Sequence, residues 1–170
     1  GTAPNGGYVL AVAGRVLREA LPHKDPLTVN AFYFAPTGLG TIDCKVEVLR
    51  SGRNTSHAEV KMFQDGELKV HVTAAYTDLE KLQGENWSRN PRPQYPPWDE
   101  CEAKGDNPVE FRERVELRFT EGGELFTKGE PNGSGEFKGW VQHRDGAAPD
   151  LISLLMFADA FPPPVFTLFG

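Results

Sequence analysis

Asp159 is the residue whose type and setting point most directly to chemistry. Across the nine positions Leu151 to Asp159 the only other polar side chain is Ser153. Burying a carboxylate without partners costs several kcal/mol, and an acid near a helix C-terminus also opposes the helix dipole. A side chain that opposes its surroundings twice marks a candidate functional site. An acid at a helix end that reaches water or caps the following turn is the competing reading, and the residues alone leave both open. The second candidate is Asn5-Gly6-Gly7, which opens an apolar run. Backbone N–H groups at such a helix start suit an anion or a carbonyl oxygen, which makes these three residues candidate substrate contacts. A capped helix after a tight turn accounts for the same residues.

Other constellations carry less. His57 and His71 fall on the polar faces of alternating runs, while His23 and His143 lie beside turns. No Cys-His spacing suggests zinc, so neither a metal nor a cofactor is expected. No Gly-x-Ser-x-Gly elbow is present. Gly38-Leu39-Gly40 lacks the third glycine of a dinucleotide fingerprint and reads as a turn. Arg112, Arg114 and Arg118 alternate with Glu113 and Glu116, the pattern of a solvated strand face.

The elements that position these residues follow from periodicity. Tyr8 to Leu21 carries charge only at Arg15, Arg18 and Glu19, which share one stripe; the rest is apolar, as in a helix wrapped by other structure, and Pro22 stops it. From Leu27 to Leu79 the period changes to 2. The runs Leu27–Phe34, Thr41–Arg50, Ala58–Met62 and Leu68–Tyr76 read as a four-stranded meander, with Ile42, Cys44, Val46 and Val48 on one face and Asp65-Gly66 as a hairpin turn. Glu80 to Glu110 is proline-rich and charged, a connector whose Trp87, Tyr95 and Trp98 suggest that it lies against the protein. Phe111–Thr120 and Glu136–His143 read as further strands. Pro149-Asp150 then opens a second apolar helix, Leu151 to Ala160, ended by Pro162-Pro163-Pro164.

The chain has 170 residues, 39% hydrophobic and 25% charged, with a formal net charge of -6. That length suits one or two domains. The acidic balance excludes the basic patches that nucleic acid or an anionic membrane surface requires, and no apolar run is long enough to span a bilayer. Cys44 and Cys101 are too few for a disulfide framework; free thiols in a reducing cytosol are the simplest account, with one bridge as the alternative. Gly1 in place of Met, an apolar end at Phe166–Gly170, and a second helix with no strands after it to wrap it lead us to expect a piece of a longer chain, cut at both ends.

Gly6-Gly7 opening an apolar helix is followed in order by Phe32-Tyr33-Phe34-Ala35-Pro36, Val46 to Arg53 and Gln64-Asp65-Gly66. This order resembles the first hot-dog unit of the acyl-CoA thioesterase II and thioesterase-like family. Gly139 to Gly146 is similar to the strand entering that family's second unit, and Pro149-Asp150 through Asp159 to Pro164-Val165 is similar to its central helix. The resemblance implies an α+β tandem double hot-dog, each long helix wrapped by an antiparallel sheet. It divides the chain into residues 1–79, a first unit without its leading strand; residues 80–110, a connector; and residues 111–170, the truncated start of the second unit.

The resemblance further implies a hydrolase that cleaves acyl-CoA to CoA and a carboxylic acid, and the two free thiols lead us to expect it in the cytoplasm. Its catalytic set is an Asp on the second central helix with a Thr and a Gln from the strands that follow. Asp159 matches the Asp, and the other two positions would fall beyond Gly170. A non-catalytic acyl-binding protein is the alternative, and association through exposed sheet edges is a further expectation.

Overall fold

The apolar run near the N-terminus forms helix α1 (Gly6–Ala20), starting two residues before the expected Tyr8. Asn5 caps it, its Oδ1 accepting the Tyr8 N–H at 3.0 Å. At the other end Lys24 Nζ donates to the carbonyls of Arg18 and Leu21, each at 2.8 Å, and satisfies acceptors that a helix C-terminus leaves open. The structure, a computed structural model, describes residues 3–85, 87–103, 113–120, 125 and 128–169. The expected strand start at Phe111, the Arg112 position and the connector's residues 104–110 lie outside the described residues.

Four strands follow: β1 (Asp25–Tyr33), β2 (Asp43–Ser51), β3 (Ser56–Gln64) and β4 (Glu67–Thr77). They form an antiparallel sheet in the order β1-β4-β3-β2, which corrects the expected meander. Only β2, β3 and β4 run consecutively. The link from β1 to β2 contains Pro36, Gly38 and Gly40 and is too long for a tight hairpin, so β1 pairs with β4 at the far edge. Asp65-Gly66 does form the β3–β4 turn, with φ of 53° and 79°, the two positive values that a type I′ turn requires.

The core of this unit is a stripe of α1 packed on the sheet. Val9, Ala13, Leu17 and Leu21 recur every four residues and meet Ala58, Val60 and Met62 of β3 and Val70, Val72, Ala74 and Tyr76 of β4. Each fully buried aliphatic side chain stabilises this packing by roughly 1.5–3 kcal/mol. On β2, Ile42, Cys44 and Val46 pack against the core as the alternation requires. Val48 does not, being 48% exposed, because the pairing with β3 shifts between Val48 and Arg50 and a bulge re-aims the side chains.

The chain divides into two units: residues 1–85 with 150–156, and residues 86–149 with 157–170. The second contains β5 (Glu102–Ala103), β6 (Val115–Phe119) and β7 (Gly139–His143), antiparallel in the order β5-β6-β7. The proline-rich stretch docks on this sheet. Trp140 Nε1 donates to the Pro96 carbonyl at 2.9 Å, and Tyr95 meets the Trp140 ring edge-on at 6.0 Å. The Arg118 guanidinium lies 4.7 Å from the Trp98 ring centre. Trp87, expected to share this role, is 81% exposed.

Helix α2 (Leu151–Phe157) is shorter than the expected Leu151–Ala160. Residues 158–160 form a turn tightened by the Ala160 N–H on the Phe157 carbonyl at 3.1 Å. Phe161 precedes a proline and is driven out of helical geometry, which ends the helix early. A short helix α3 (Phe166–Phe169) closes the described chain.

Candidate functional site

Local sequence makes the start of α1 a concave place. Tyr33, at the end of β1, donates its phenol to the Gly6 carbonyl at 2.7 Å and fastens strand to helix. The chain then turns away, held by the Phe34 and Ala35 N–H groups on the Lys69 carbonyl at 2.8 and 3.4 Å. Further on, Gln64 accepts the Gly38 N–H at 2.7 Å and pins the following loop. Between helix start and turn lies a cavity of 330 Å³, walled by Gly6, Val9, Phe34, Ala35, Pro36 and Thr37 among others. This is the lower end of the range for small-molecule sites. No acidic residue occupies the first turn of α1, so no carboxylate there offsets the positive end of the helix dipole.

Of the three expected binding residues, Gly6 lines this cavity. Asn5 uses its side-chain oxygen as the helix cap, and Gly7 is buried within α1. The turn is therefore a capped helix start, as the simpler reading held, and it also borders a cavity.

The setting of Asp159 differs from the expectation. The residue sits in the turn after α2 and is exposed, so the argument from a costly buried carboxylate does not hold. Its side chain projects from the turn because α2 ends two residues earlier. The start of α2 is firmly built. Asp150 Oδ1 accepts the Ser153 N–H at 2.8 Å and the Ser153 hydroxyl at 2.9 Å, and the Asp150 N–H reaches Ser153 Oγ at 3.2 Å. Arg18 Nη1 adds an ion pair to Asp150 Oδ2 at 2.8 Å. Midway along α1, the buried Tyr76 donates its hydroxyl to the Gly14 carbonyl at 2.7 Å, and burial pushes its pKa up to about 12.

Two features escaped the sequence reading. His23, placed beside a turn, is 7% exposed. Its Nδ1 lies 2.7 Å from Ser56 Oγ and its Nε2 3.2 Å from the Arg53 carbonyl, which fixes Nε2 as the donor to that carbonyl. Thr37, buried in the cavity wall, follows a proline in an aperiodic loop, where no pattern marks a residue as internal. Elsewhere His71 pairs with Glu59 at 2.9 Å, and His143 packs on Phe157. Both cysteines are free thiols; burial, then the Asp43 charge, pushes the Cys44 thiol up. Among the described residues no group of three side chains has metal-ligand geometry, and no helix is long and apolar enough to cross a membrane.

Comparison with known proteins gives these sites a context. Residues 1–77 match the family model for the acyl-CoA thioesterase N-terminal domain, and residues 88–170 match that for the acyl-CoA thioesterase C-terminal domain. Among solved structures, a candidate thioesterase II from Thermobifida fusca shares 26% identity at a TM-score of 0.86, over 99% of this chain and 64% of its own. A candidate thioesterase from Novosphingobium aromaticivorans shares 30% identity at 0.76, over 96% and 63%. A hot-dog protein of unknown function from Alicyclobacillus acidocaldarius, 19% identical at 0.82 over 98% and 61%, supports the fold. The chain thus spans less than two thirds of the length of these structures. No curated protein matches it.

Proposed function

The chain belongs to the acyl-CoA thioesterase family, and on that premise we propose that the protein hydrolyses the thioester of acyl-CoA to free CoA and a carboxylic acid. The observation that carries this reading is the match of both halves, in chain order, to the two domains of that family. In the proposed reaction Asp159 orients a water and takes its proton. The water oxygen bonds to the thioester carbon, the tetrahedral intermediate collapses, and the C–S bond breaks to release the CoA sulfur, which leaves as thiolate or takes up the proton. An exposed carboxylate is accessible to such a water, whereas a sealed one is not. Separately, the start of α1, with Gly6 on a cavity, is proposed to contact substrate through the positive end of the helix.

A non-catalytic acyl-binding role is the second reading, favoured by the position of Asp159 on an exposed turn rather than in a water-excluding pocket. The two are separated by following free CoA released from acyl-CoA esters of increasing length, alongside direct binding of the same esters. Turnover that depends on the thioester supports hydrolysis, and binding with no CoA release at any length supports the second reading.

A further inference from the structure

We infer that Thr37 is a specificity-determining contact of the cavity at the start of α1, and that this cavity takes an apolar chain carrying one hydrogen-bonding oxygen. The inference rests on the proposed function and deepens it, since the chain concerned is the acyl part of the thioester.

Thr37 is 8% exposed, and its hydroxyl has no hydrogen-bond partner among the described residues. No side-chain polar atom sealed from solvent lacks a partner among those residues. The Thr37 hydroxyl therefore reaches accessible space, and Thr37 meets such space as part of the cavity wall. Val9, Phe34, Ala35 and Pro36 supply apolar surface around it.

A donor in such a place discriminates asymmetrically. A plain alkyl chain covers the hydroxyl and leaves it unpaired, which costs binding energy; a chain with an oxygen in reach pairs it. Gly6 brings the positive end of α1 to the same cavity, and no first-turn acid offsets it, which favours an electron-rich atom over a cationic one. The volume of 330 Å³ limits what is enclosed to on the order of ten heavy atoms, so the chemistry is that of a short oxygenated acyl group.

The test is calorimetric binding of non-hydrolysable S-hexyl thioethers of CoA, plain or with one hydroxyl at successive chain carbons. The expected result is that the best hydroxylated member binds the native chain roughly three- to tenfold tighter than the plain one. Thr37→Val should bring the ratio to about one, and Thr37→Ser should retain it. The denaturation midpoint of Thr37→Val should equal or exceed that of the native chain, because the lost hydroxyl holds nothing in the fold; a lower midpoint would overturn the premise. Equal affinity for all members, or an unchanged preference in Thr37→Val, would overturn the inference while leaving thioester hydrolysis standing. No binding of any member would overturn it together with the acyl-CoA reading.

Discussion

Asp150 makes several contacts with one carboxylate: it caps the α2 N–H of Ser153, accepts the Ser153 hydroxyl and pairs with Arg18. Partial burial pushes its pKa up, but the Ser153 amide, the Arg18 guanidinium and the Ser153 hydroxyl outweigh that and hold it at about 2. Because the folded pKa lies below the ordinary 3.8, this contribution is present above that value and is lost as pH falls toward about 2. Half the side chain is exposed, so solvent screens the ion pair, and Asp150→Ala should cost about 1 kcal/mol in urea denaturation, the usual loss of an N-cap. Its destabilisation relative to the native chain should shrink as pH drops through that window. Tyr76 behaves in the opposite sense. Burial raises its pKa to about 12, so folding stability should fall as pH climbs from the ordinary 10 toward that value, and Tyr76→Phe should remove this alkaline loss at a cost of about 1 kcal/mol at neutral pH. Ultraviolet titration of the tyrosinate band alongside thermal melts checks both.

At the level of elements, Gly139 opens β7 where the two chains of the β6–β7 pair approach closely. A Cβ there would lie 2.0 Å from the Arg118 carbonyl oxygen, a backbone atom that cannot move without breaking the ladder. Gly139→Ala should therefore destabilise the second unit by several kcal/mol or prevent its folding, visible as a lost or lowered unfolding transition in calorimetry. The α1 stripe, the strand alternation and the Asp65-Gly66 turn were readable because each is a local pattern with one geometric solution. What was not readable depends on distance in sequence. The pairing of β1 with β4 is decided by sheet edges, not by any residue in either strand. The bulge after Val48 leaves the alternation unbroken on paper and displaces it in space. The end of α2 turns on a proline five residues beyond Phe157, so the apolar pattern ran past the helix and made Asp159 look buried. Thr37 lies in a loop without periodicity and its burial had no sequence signal.

For the molecule as a whole, the sheet of the first unit ends in β1 and β2, and β2 presents Val48 and Leu49 at 48% and 56% exposure. Unpaired strand edges with apolar side chains favour association. Sedimentation at increasing concentration should show self-association that Val48→Lys with Leu49→Lys reduces; a monomer at all concentrations would remove edge pairing from the account. The central claim is that the family's thioester chemistry runs through Asp159, and the most direct test is free-CoA release by a longer chain that also carries the family's Thr and Gln positions, and by its Asp159→Asn variant. The account predicts turnover by that longer chain and a fall of roughly two orders of magnitude or more in the variant, with the melting temperature and acyl-CoA binding unchanged. Equal turnover by the two chains would contradict it.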